Sequence, residues 1–320
     1  MTEIQPSRLQ NFPISWFAVV MGMTGFSIAW HRAEALLALS SGPSVFLLAA
    51  TVGIFVLLLA FYLAKVVKYP QQVRAEFVHP VKLNFFPTIS IGLVLLSIAF
   101  QPYSMTVSLM CWSLGAVLHL GFTLYVLSVW LHQTHFEISH INPAWFIPIV
   151  GNILVPISGV RHASPEISWF FFSIGLVFWL VLLTIIFYRI FFHNPLPAKL
   201  LPTLFILIAP PAVGFVSWVQ LNGELDAFGR LLYYTALFLT LMLLTQLRRF
   251  LKLEFFLSWW AYSFPMAAIT IATFLMYDLL RLPFLKGLAV VLLGLLTMLI
   301  GVLIVKTAQA IRHRAICIEE

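Results

Sequence analysis

Ten apolar runs, each close to the length a helix needs to cross a bilayer, constrain this chain more than any other feature. They cover approximately residues 13–31, 43–64, 84–101, 105–131, 143–160, 168–188, 200–221, 230–247, 255–277 and 284–305. A crossing helix needs about 20 apolar residues, whereas a barrel strand needs about ten with strict alternation. The runs show no such alternation, and helices close their own backbone hydrogen bonds, which lipid cannot do. Only 9% of the residues are charged and the mean hydropathy is +1.01. A soluble domain carries about 25% charged residues, so most of this chain's surface must face lipid. The sequence therefore predicts an all-α membrane protein, a single transmembrane domain over residues 1–320. Short tails of about 1–12 and 306–320 flank it. The first run lacks the basic segment and the small-residue cleavage site of a signal peptide, so it counts as a helix. Cys111 lies inside an apolar run and Cys317 near the C-terminus, so no disulfide between them is expected.

Ten crossings put both termini on one side. The loops sharing that side, 65–83, 132–142, 189–199 and 248–254, together with the tails, hold thirteen of the 18 Lys and Arg. Basic residues favour the cytoplasmic side, which predicts cytoplasmic termini and cytoplasmic loops there. The net charge of +7 does not point to nucleic acid, because the basic residues sit at the ends of apolar runs rather than in one patch.

The runs also pair. Odd runs begin roughly 55–70 residues apart, and each is marked by proline near its start: Pro13, Pro87, Pro143, Pro202 with Pro210 and Pro211, and Pro265. Even runs have almost no internal proline. This pattern reads as five helical hairpins, each with a kinked first helix and a straight second one. Backbone freed by a kink is tolerated at membrane depth only inside protein or beside a wet cavity. Odd helices are therefore expected to form an inner ring around a path, with even helices outside it. The plainer alternative is that proline is simply common in membrane helices.

All 11 acidic residues lie outside the runs or at their edges. Cation pores and proton-coupled carriers usually place carboxylates in the path, so an uncharged path between basic rims suits a weakly held anion better. His119, in the middle of the fourth run, reads first as a buried histidine bonded to a neighbouring helix. A proton relay is the alternative. His132, His135, Glu137 and His140 put metal-ligand types close together, but in no familiar zinc spacing. No phosphate loop, catalytic carboxylate pair or nucleophile elbow is present, so no enzyme and no cofactor are expected.

Four segments carry a resemblance. Trp259–Met266 (WWAYSFPM) resembles the signature of the plant guard-cell slow anion channels, which belong with bacterial TehA in the tellurite-resistance/dicarboxylate-transporter family. Residues 13–30 are similar to the first TehA helix, His79–Phe86 (HPVKLNFF) to the start of its third, and Ile208–Gly214 to its seventh. Ala18 and Val20 stand where TehA has glycine and proline. The resemblance implies ten helices in five hairpins and a homotrimer with one pore per subunit, in a bacterial inner membrane. It implies passage of small monovalent anions such as chloride or nitrate, occluded by a phenylalanine that maps onto Phe264. Carriers or exporters of malate-like dicarboxylates, sulfite or tellurite-related anions are the alternative within the family. Phe17, Phe85, Phe86, Asn152, Pro210, Pro211 and Pro265 are expected to line the path. Pro265 should kink the ninth helix beside Phe264. The short tails leave little room for the kinase control that acts on the long tails of the plant channels.

Overall fold

The computed structural model describes residues 7–40, 42–133 and 136–318, and all regular structure in them is helical. Among the described residues nine helices are long and apolar enough to cross a membrane. They are α1 (Ile14–Leu37), α2 (Gly42–Lys68), α3 (Lys82–Phe100), α4 (Met105–His132), α6 (Pro165–Phe192), α7 (Ala198–Asn222), α8 (Ala227–Leu244), α9 (Leu257–Leu280) and α10 (Pro283–Arg312). The fifth run forms a shorter apolar helix, α5 (Pro143–Gly159). A surface helix, Pro70–Val78, joins α2 to α3.

Odd and even helices differ in backbone as well as in burial. The even helices are uninterrupted α-helices, and three start at side-chain caps. Ser104 accepts the Val107 N–H, Ser164 that of Glu166, and Asp226 that of Gly229. Every odd helix instead opens with a 3-10 stretch: Ile14–Trp16, Lys82–Phe85, Pro143–Trp145, Ala198–Ile208 and Leu257–Tyr262. The α-helical portions then begin at Phe17, Thr88, Phe146, Ala209 and Ser263. Pro210, Pro211 and Pro265 fall in the first turn of those portions. A missing N–H costs nothing there, since the first amides of a helix have no partner in it. Where a kink was expected at Pro265, the backbone changes helix type just before it.

The fifth segment carries the same feature inside it as well. It runs antiparallel to α4, and cross-links mark its course: Trp145 stacks on Trp130 at 4.2 Å, Asn152 donates to Thr123 at 2.9 Å, and the Trp112 indole donates to the Val155 carbonyl at 3.0 Å. His162, just beyond α5, meets Ser108 at 2.7 Å. From Ser108 to Trp130, α4 rises roughly 33 Å, about the thickness of a hydrocarbon core. The 3-10 stretch Gly151–Leu154, rising about 2.0 Å per residue, makes α5 slightly longer than its residue count would give as α-helix.

In their most apolar windows α1, α3, α7 and α9 are 72, 78, 78 and 72% buried, against 28–39% for the five even helices. Each odd helix packs on the even helix that follows it. The odd helices also pack on one another: α1 on α3 and α9, α5 on α3 and α7, and α7 on α9. The even helices turn large apolar side chains outward, among them Phe46, Val117, Leu131, Phe192, Phe284 and Met298. Such a surface is stable against lipid and not against water.

Candidate functional site

The WWAYSFPM segment is pinned from three sides before it presents Phe264. The Trp260 indole donates to Thr307 of α10 at 3.0 Å. The Tyr262 ring meets Phe205 of α7 edge-on at 4.7 Å. Ser263 donates to the Trp260 carbonyl at 2.6 Å and sits where a side chain on Gly22 of α1 would have to go. Gly22 and Gly25 thus let α1 approach α9 closely, and Gly25 leaves room beside the Phe264 ring and Ala267. The HPVKLNFF segment is built as locally. His79 Nδ1 accepts the Val81 and Lys82 N–H groups, and Asn84 donates to the Pro80 carbonyl at 2.9 Å, turning the chain into α3.

Two small cavities, of about 50 and 40 Å³, lie along the interior. Among the described residues every one lining them belongs to an odd helix, and all five odd helices contribute to both. One cavity is bounded by Ala18, Phe85, Thr88, Trp260, Ala261 and Pro265, near the starts of the odd helices. The other lies further along, against Ile91, Val150, Gly151, Leu154, Pro210 and Val213. Both touch Met21, Ile147, Ile206 and Phe264, which together form the partition between them. Phe264 is 8% exposed.

The lining offers an ion almost nothing to bind. Among the described residues no carboxylate borders either cavity. The polar side chains on the first, Thr88 and Trp260, spend their protons on the Phe85 carbonyl and on Thr307. An ion placed here would give up its hydration shell with no donor in exchange.

Of the residues expected to line a path, Phe264, Phe85, Pro210 and Pro265 border the cavities. Phe17, Phe86, Asn152 and Pro211 do not. Phe17 faces α2, against Phe55 and Tyr62, each at 6.1 Å. Phe86 stacks on Phe77 of the surface helix at 3.6 Å. Asn152 is fully buried against Thr123 of α4, and Pro211 is buried one residue beyond Pro210. Met21, Ile147 and Ile206 complete the partition without any signal in the sequence, since each looks like an ordinary core residue. Ala18 lines a cavity, while Val20 packs against Gly92 of α3.

The histidines fall elsewhere. His119 is fully buried, with Nδ1 at 2.9 Å from the Ser90 hydroxyl and its other edge filling the side-chain space of Gly151. His135 lies outside the described residues. Its neighbours are engaged locally: His132 with the Ser128 carbonyl, and His140 Nδ1 with the Glu137 N–H. Among the described residues no group of three metal-ligand types is assembled. At the far end of the interior, His162 sits against Ser108, and burial, aided by neighbouring Arg161, pushes its imidazole below its ordinary pKa.

Residues 11–308 match the family model described as voltage-dependent anion channel. The chain belongs to this family. It is a multi-pass integral membrane protein of an anion channel and transporter family, not of an enzyme family. Relatives in the family include the S-type anion channel SLAH3 of Arabidopsis thaliana, 27% identical over 93% of this chain and 48% of the relative. An uncharacterized transporter of Methanocaldococcus jannaschii is 29% identical over 85% of this chain and 87% of its own length. A tellurite resistance protein TehA homolog of Haemophilus influenzae is 23% identical over 80% and 79%. The chain spans about half the length of the plant relative, and the match covers nearly all of its own.

Proposed function

We propose that this protein is a passive channel for small monovalent anions such as chloride or nitrate. The odd helices form an inner ring around the path, the even helices face lipid, and Phe264 is the plug. The observation that carries this reading is the partition: two cavities lined only by odd helices meet at Phe264. The absence of carboxylates from their lining favours an anion over a cation and a channel over a proton-coupled carrier. Relatives named as anion channels support the same reading. In the proposed arrangement ten segments cross a bacterial inner membrane, both termini are cytoplasmic, and the protein is a homotrimer with a path through each subunit.

The test is current through the purified protein in planar bilayers under asymmetric chloride. Wild type should conduct weakly, with a reversal potential near that of chloride. Phe264→Ala should give normal yield and at least ~10-fold more current, the equivalent of removing about 1.4 kcal/mol of barrier. A ring that only fills a core would instead cost about 3–5 kcal/mol of stability on truncation. A well-folded variant with wild-type conductance rules out the plug.

A further inference from the structure

Arg32 stands out among the interior-facing residues that the constriction does not use. It lies on α1 eleven residues after Met21, so Met21, Gly25, Ile28 and Arg32 share one helix face, with Arg32 roughly 16 Å further along. It is half-buried, and among the described residues its guanidinium makes no hydrogen bond and no ion pair. None of its nitrogens is fully buried, so the guanidinium is open from the solvent side with no protein acceptor occupying it.

The nearby acids are engaged elsewhere. Glu34, two residues on, turns away and accepts the Ser44 N–H at 2.7 Å and the Ser44 hydroxyl at 2.5 Å. Asp278 lies on α9, fourteen residues after Phe264 and on nearly the same face, and it is shared with Arg281 at 3.5 Å. The charges that act on Arg32 are those of Asp278 and of Arg161, which follows α5. Asp278, the carboxylate that attracts Arg32, is thus already engaged by Arg281.

We propose that Arg32 is an anion-binding site at the end of the path away from the tails, taking a halide or a small planar oxyanion such as nitrate on its free guanidinium. The fork of N–H groups suits a planar oxyanion best. Arg161 adds attraction and Asp278 weakens the site, so the anion is held loosely enough to move on. Above the donor-poor constriction, such a site raises the local anion concentration where the path would be entered. The inference rests on the channel reading only for where the anion goes next.

Binding is read without conduction, by thermal unfolding of the purified protein in detergent as sodium nitrate replaces sodium gluconate at constant ionic strength. Wild type should show a saturable rise in Tm. Arg32→Gln should raise the half-saturating nitrate concentration about tenfold or abolish the shift. Asp278→Asn, at an exposed position, should lower it about two- to fivefold. A merely structural role for Arg32 would not move the two variants in opposite directions. The proposal is overturned if folded Arg32→Gln keeps the wild-type titration, or if Asp278→Asn fails to tighten it. Chloride current in Phe264→Ala separates the two ideas: no current there sinks the channel reading and leaves the nitrate titration to decide Arg32.

Discussion

Lys65 near the end of α2 and Glu76 on the surface helix offer a sharp test of how the tail-side end of the protein is held. Lys65 is 1% exposed and Glu76 6%, and their charged atoms are 3.1 Å apart. Lys65 also donates to the Phe12 carbonyl at 2.8 Å, and Tyr62 donates to Glu76 at 2.8 Å. One buried pair thus ties the segment before α1, the end of α2 and the surface helix together. Lys65→Met removes the cation and leaves Glu76 buried with only Tyr62, a class of change that costs about 3–5 kcal/mol. The orphaned Phe12 carbonyl adds to it. Glu76→Gln alone strands the ammonium at similar cost, while the double variant leaves no buried charge and should lose less than either single change. The cycle is therefore expected to show a coupling of about 2 kcal/mol or more, measured by unfolding in mixed micelles. Single-variant losses that add to within ~0.5 kcal/mol would refute the reasoning, because independent sites behave that way.

Gly22→Ala would put a methyl group 2.0 Å from the Ser263 hydroxyl, so it should cost about 1–3 kcal/mol or more; Gly287→Ala, in open space on α10, should be neutral in the same melts. His119→Gln should fold and, in the Phe264→Ala background, conduct like its parent, since His119 borders neither cavity; full loss of current from well-folded protein would give the imidazole a transport role. Asp226 has its pKa lowered, first by the Gly229 N–H and then by the Trp218 indole. A depressed carboxylate stabilises the fold above its unfolded value and loses that contribution as pH falls through the folded value. Melting temperature should therefore drop on acidification below about pH 4. The drop should be shallower in Asp226→Asn, and parallel curves would count against this role for the carboxylate.

What the sequence determined by itself is whatever depends on local chemistry. Run length and scarcity of charge require membrane-crossing helices, because each run must satisfy its own backbone in lipid. Proline at the starts of odd runs and its near absence within even ones anticipated two kinds of helix. The HPVKLNFF segment could be read because its hydrogen bonds are local, His79 and Asn84 bonding within it. The tertiary structure alone decided which way each side chain faces. A 3-10 turn advances about 120° per residue and an α turn about 100°, so six residues of 3-10 helix rotate the following face by about 120°. No helical wheel drawn through such a junction could tell that Phe85 borders a cavity while Phe86 stacks on the surface helix, or that Asn152 turns to α4. Met21, Ile147 and Ile206 close the partition only because three separate helices bring them to one point. The unpartnered state of Arg32 is likewise set by where Glu34 and Asp278 find other donors, Ser44 and Arg281, which packing decides.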